Sequence, residues 1–202
     1  LVLDVRYNGG GYLYIASQIG YMIAGSARTS GKTFERLQYS DKRTADTNDP
    51  ANDTPFYNVA SGIANTGTTE NAPLPILNLG RVYVLASPGT CSASEAVVNG
   101  LRGVGVEVIL VGGTTCGKPY GFTAKDNCGI SYFPIEFQGV NQLGFGDYAD
   151  GFAPTATCTV ADDFSRALGD SSEGMLAAAL NHRATGSCGG TATGREAPQA
   201  AG

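Results

Sequence analysis

Two residues in this 202-residue chain have the types needed for acyl-transfer chemistry: Ser92, in Thr90-Cys91-Ser92-Ala93-Ser94-Glu95, and Lys118, in Gly117-Lys118-Pro119. A serine hydroxyl attacks an acyl carbon only when a base takes its proton. The single histidine, His182, lies near the tail and reads as a surface residue. No Gly-x-Ser-x-Gly turn is present, so an α/β-hydrolase elbow is excluded. Lys118 is then the remaining base, and it must be neutral near pH 7, which requires burial to lower its pKa. Each residue also has a plain structural reading. Ser92-x-x-Glu95 is a capping box for a helix start, and Lys118 between glycine and proline is a surface lysine in a turn.

Other chemistries fit less well. Gly112-Gly113-Thr114-Thr115-Cys116-Gly117-Lys118 follows the phosphate-cradling pattern, but Pro119 replaces the Mg²⁺-holding hydroxyl and no helical pattern follows. A net charge of −5 with scattered Lys and Arg argues against nucleic acid and an anionic membrane surface. One histidine and no Cys-x-x-Cys spacing argue against a metal site, and no cofactor is expected. The five cysteines fit two disulfides and one free thiol. Cys116 with Cys128 and Cys158 with Cys188 are the expected pairs, although spacing does not fix connectivity and five reduced thiols are the alternative. Cys91 as a thiol nucleophile is weaker, because Ser92 holds the better helix-start position.

The elements that would position Ser92 and Lys118 alternate strand and helix. Leu1–Arg6, Arg81–Ala86 and Val106–Val111 are continuous apolar runs, as in strands buried on both faces. Helical spacing covers Tyr12–Ala24, Ser92–Leu101, Asp162–Leu168 and Glu173–Ala184. Gly129–Phe137 reads as a strand, with Gly121–Lys125 pairing antiparallel to it. The fold class is therefore α/β with a largely parallel sheet. Residues 38–73 form a long polar insertion, a lid or a solvated excursion, with one helix near Tyr57–Ala64. Residues 1–185 form one core, and 186–202 read as a disordered tail. The chain opens inside a strand with no initiator Met or signal peptide, so it reads as part of a longer protein. The loops Asn8–Gly11, Ser87–Ser92 and Gly112–Pro119 leave three strong strands, and reactive groups in such folds collect there.

Those three loops carry a resemblance. Leu3-Asp4-Val5-Arg6-Tyr7-Asn8-Gly9-Gly10-Gly11, Val84–Glu95 and Val111–Pro119 together resemble the S41 peptidases, the C-terminal processing or tail-specific proteases, over roughly Leu1–Pro154. The resemblance implies a ClpP/crotonase-like core of ββα units. It implies a serine endopeptidase acting on unfolded or C-terminal segments of polypeptides. Ser92 takes the nucleophile's place and Lys118 the general base's. The N–H groups of Ala93 and of Gly9 or Gly10 would form the oxyanion hole, and Glu95 would orient the site as well as cap the helix. It further implies export to a bacterial periplasm or cell envelope, and a PDZ or other N-terminal domain ahead of the core. Three positions depart from the family pattern: Phe122 where some members carry a lysine-orienting glutamine, Pro119 in place of a second glycine, and no acid at the end of the Ser92 helix. These departures leave an inactive, peptide-binding relative of the same fold as the alternative.

Overall fold

The computed structural model describes residues 1–62 and 70–189. Its centre is a parallel sheet of β1 (Val2–Asp4), β4 (Arg81–Ala86) and β5 (Glu107–Gly112), in the order β1-β4-β5. The register aligns Leu3 with Val84 and Val84 with Leu110. Successive side chains of a strand point to opposite faces, and both faces are covered. Val82, Val84 and Leu110 pack with Ala16, Val97 and Leu101 of α1 (Leu13–Ala24) and α4 (Ala93–Gly103). Tyr83, Leu85, Ile109 and Val111 pack under Met175 and Ala179 of α5 (Gly174–Thr185). This double cover is why the strands read as unbroken apolar runs. Each such Leu or Val contributes roughly 1.5–3 kcal/mol by leaving water.

A second, antiparallel sheet flanks α4. It runs β3-β2-β9-β6, from β3 (Thr54–Pro55), β2 (Thr33–Tyr39), β9 (Ile135–Val140) and β6 (Tyr120–Phe122). Beyond β6, β7 (Lys125–Asn127) and β8 (Ile130–Tyr132) form a separate hairpin. The expected antiparallel pairing is present, split into two ladders at Phe133-Pro134, where proline has no N–H for a ladder. Short helices α2 (Ser26–Thr29) and α3 (Thr44–Thr47) and two 3₁₀ turns, Asp41–Arg43 and Pro50–Asn52, complete the described chain.

Three expectations are corrected. The polar insertion expected over residues 38–73 begins inside a strand, because β2 runs on through Gln38 and Tyr39. No helix forms over residues 57–62, where Val59 instead bridges Pro73 antiparallel; Ile63 and Ala64 lie outside the described residues, as do 190–202 of the expected tail. Asp162–Leu168 is not a helix either. Its acidic side chains take the local N–H groups: Asp162 Oδ1 accepts from Asp163 N, and Asp163 Oδ1 accepts from Ser165 N and Oγ. Such side chains offer the backbone an alternative to the helix.

Asp162 has a further partner that ties the two ends of the chain together. The Arg6 guanidinium, 1 % exposed, meets Asp4 at 2.8 Å, Asp162 at 2.8 Å and Glu173 at 2.9 Å. Glu173 also caps α5, accepting from Met175 N and Leu176 N. Removing one partner of a buried ion group strands the others. Arg6→Met is therefore expected to destabilise the protein by about 3–5 kcal/mol, read as a lower urea midpoint. A change within about 0.5 kcal/mol, the range of an ordinary surface substitution, would contradict this account of the network.

Candidate active site

The loops after β1, β4 and β5 converge at the carboxyl ends of the parallel strands. Asn8 O accepts from Cys91 N at 3.2 Å and from Ser94 Oγ at 3.2 Å. Thr90 O accepts from Cys116 N at 3.0 Å. A cavity of about 490 Å³ opens among them, and Gly9, Ser92, Ala93 and Lys118 all line it. Glu95 and Gly10 lie behind that wall.

Ser92 precedes α4 with φ 55° and ψ −116°. This backbone region is foreign to a side-chain-bearing residue and costs on the order of 1–3 kcal/mol. It turns the chain sharply from loop to helix. The family of motifs with Gly-x-Ser-x-Gly was excluded by sequence, yet the serine adopts the same kind of sharp, strained turn. Gly10 makes room for it: at φ 124°, a Cβ built there would stand 2.8 Å from Ser92 Cβ.

Glu95 holds the strained turn in place. Its side chain is fully buried. Oε2 accepts from Ser92 N at 2.9 Å and Lys118 N at 2.8 Å; Oε1 accepts from Gly117 N at 2.8 Å and Thr115 Oγ1 at 2.5 Å. Ser92 and Glu95 have a capping-box arrangement, but only the Glu95 half reaches full hydrogen-bond geometry. In that cap the Ser92 hydroxyl serves as an acceptor, which leaves its proton for another partner. One carboxylate binds the nucleophile candidate's backbone and the lysine's backbone at once.

A disulfide reinforces the same junction. Cys91 pairs with Cys116, not Cys116 with Cys128 as expected. The two lie in loops leaving neighbouring parallel strands, with Cα atoms 5.3 Å apart, inside the bridging range. Cys128 sits exposed and free between β7 and β8. Cys158 pairs with Cys188 as expected.

Lys118 departs from the expected burial. It is exposed, with Nζ 5.5 Å from the centre of the Phe122 ring. Of the two glycines proposed for the oxyanion hole, Gly10 has its N–H committed to Asn8 Oδ1 at 2.8 Å. Among the described residues, no hydrogen bond occupies the N–H of Gly9 or Ala93.

Two cavity residues were not legible in the sequence. Glu35 is 6 % exposed and lines the cavity, with no hydrogen bond or ion pair among the described residues. It is turned inward by a register shift between Thr33 and Glu35 in the β2–β3 pairing, so Phe34 and Glu35 are both buried in succession. Its carboxyl rests against Gly139, where a Cβ would lie 2.3 Å from Glu35 Cδ. Burial pushes the Glu35 carboxyl up to about 8. Burial, and then the nearby Glu35 and Glu95 charges, also pushes the Tyr148 phenol well above its ordinary range. No local signal marks a bulge of this kind, and Tyr148 stands among Gly and Asp residues, in Gly146-Asp147-Tyr148-Ala149-Asp150-Gly151.

The model of Peptidase family S41 matches residues 1–125. The chain belongs to peptidase family S41. A Bacteroides fragilis crystal structure assigned to the S41 proteases is 29 % identical, with a TM-score of 0.66, over 91 % of this chain and 44 % of that one. A photosystem II D1 C-terminal processing protease is 20 % identical, with a TM-score of 0.48, over 76 % of this chain and 33 % of that one. This S41 chain thus spans less than half the length of the solved structures it matches. No curated protein matches it significantly.

Two buried carboxyls of this S41 chain, Glu95 and Glu35, should respond oppositely to the same isosteric change. Glu95→Gln places an NH₂ group among four donors and is expected to cost about 2–5 kcal/mol. Glu35→Gln removes a different liability. The folded-state pKa of Glu35 lies above the unfolded value, so its carboxyl is protonated in both states below about pH 4.5 and costs nothing there. Between about 4.5 and about 8 the unfolded chain ionises first and stability falls as pH rises. Glu35→Gln should flatten that slope and stabilise the protein on the order of 3 kcal/mol at pH 8.5. Urea titrations of both variants at pH 4 and pH 8.5 check this. Equal signs at pH 8.5 would contradict the assignment of the two groups.

Proposed function

We propose that this chain carries the catalytic centre of a serine endopeptidase that hydrolyses unfolded polypeptides or their C-terminal segments. The observation that carries the reading is Ser92, strained at a helix start on the wall of a cavity it shares with Lys118. Strain of this kind persists where the surroundings over-determine it, and it clusters at active sites.

In this reading Ser92 Oγ attacks the peptide carbonyl while neutral Lys118 Nζ takes its proton. The oxyanion that forms accepts hydrogen bonds from the N–H groups of Ala93 and Gly9, at the positive end of α4. Lys118 then gives the proton to the leaving amine, and the acyl group remains on Ser92. Lys118 next deprotonates a water that releases the acid. Lys118 is exposed against the Phe122 ring, so in this reading the bound polypeptide covers it. Dehydration then favours the neutral amine. Two disulfides support export to an oxidising compartment such as a bacterial periplasm or cell envelope.

The exposure of Lys118 and its seat over Phe122 favour one second reading, a peptide-binding relative without turnover. The two separate on one assay with an unfolded protein substrate. Ser92→Ala and Lys118→Ala in the full-length protein are each expected to abolish cleavage, by at least about 10³-fold, with unchanged far-UV circular dichroism. Wild-type binding without any cleavage would favour the second reading. Normal turnover by either variant would overturn the Ser92–Lys118 assignment.

A further inference from the structure

Glu35 is the one charged group of the Ser92 cavity that peptide hydrolysis, as proposed, leaves without a role. The cations on neighbouring elements are engaged elsewhere. Arg36, the next residue on β2, lies 3.9 Å from Asp53. Arg102 of α4 stacks on the Phe152 ring at 4.9 Å. Lys118 sits over Phe122. The Glu35 carboxyl is therefore a buried acceptor with no counter-charge among the described residues.

Its surroundings suit a long side chain that ends in a cation. Ala93 and Ala96 of α4 both line the cavity, one helical turn apart, and lead away from Ser92. Leu13, Phe137 and Tyr148 supply apolar wall beside them. Small residues on one side and ring faces on the other leave space for a methylene stem, as lysine and arginine stems pack along apolar surface. Gly139 leaves room for the carboxyl at the end of that path.

We propose that the Glu35 carboxylate receives the lysine or arginine side chain of the residue supplying the scissile carbonyl, so that the enzyme cleaves after basic residues. This rests on the reading of Ser92 as the nucleophile. The energetics are those of completing a half-made pair. A buried carboxyl without a partner is held neutral by burial, up to about 8. An arriving ammonium or guanidinium supplies the counter-charge, whereas an isosteric apolar side chain leaves the carboxyl unsatisfied. Sites with a buried polar group discriminate strongly against substrates that cannot pair with it.

The test uses N-acetylated, internally quenched peptides that differ only in lysine against norleucine at that residue, cleaved by the full-length protein. Acetylation leaves the side chain as the one cation that varies. Wild type should favour lysine by about tenfold or more in kcat/KM, and Glu35→Gln should bring the ratio to near one. Calorimetry of the same two peptides with Ser92→Ala gives a readout that needs no turnover, and lysine should again bind about tenfold tighter. Ser92-dependent cleavage with no lysine preference overturns the role of Glu35 and leaves the peptidase reading standing. A lysine preference that survives in Glu35→Gln places the acceptor elsewhere and also overturns it. Tighter lysine binding without any Ser92-dependent cleavage upholds the pocket and sinks the peptidase reading instead. Equal binding of the two peptides to Ser92→Ala overturns the pocket whatever the turnover.

Discussion

The Glu95 carboxylate is the constraint on which the site depends. It sits fully buried, with two donors on each oxygen, and those donors come from two different loops. A buried carboxylate is costly unless its hydrogen bonds are made. The cost therefore fixes the geometry: the loop after β5 must close over the start of α4. The Cys91–Cys116 bridge adds a covalent link at the same junction. Ser92 can hold its unfavourable backbone because these bonds leave it few alternatives. A capping residue and a site organiser are here the same side chain.

Much of this was legible in the sequence because it follows from local rules. Unbroken apolar runs gave the buried strands, helical spacing gave α1, α4 and α5, and Ser92-x-x-Glu95 marked the start of α4. The three loops picked out after those strands are the ones that converge around the Ser92 cavity. What stayed hidden was non-local. Cys91 and Cys116 are brought together by the parallel pairing of β4 and β5, which spacing along the chain does not encode. Glu35 faces inward through a register shift, where alternation would send one of Phe34 and Glu35 outward. Asp162–Leu168 has a helical apolar pattern, but its aspartates bond to nearby N–H groups, and Asp162 also pairs with Arg6. The burial expected for Lys118 came from a chemical requirement rather than from any residue pattern, and the structure leaves that side chain exposed.

The two cavity carboxyls divide the electrostatic work. Glu95 is saturated by donors and acts as scaffold. Glu35 makes no hydrogen bond or ion pair among the described residues, which is why it is proposed to take a substrate cation. Lys118 lines the same cavity as Glu35 and Ser92 and lies exposed against Phe122. A polypeptide entering the cavity would change both conditions, by dehydrating the lysine and by offering Glu35 a partner. Substrate would then complete the site as well as occupy it.

The central claim is that Ser92 is a nucleophile activated by Lys118. Its most direct measurement is covalent labelling of the full-length protein with a fluorophosphonate, read by peptide mass spectrometry. The account predicts a single adduct on Ser92, formed at least about 100-fold more slowly in Lys118→Ala. Labelling absent from Ser92, or proceeding at the same rate without Lys118, would contradict it.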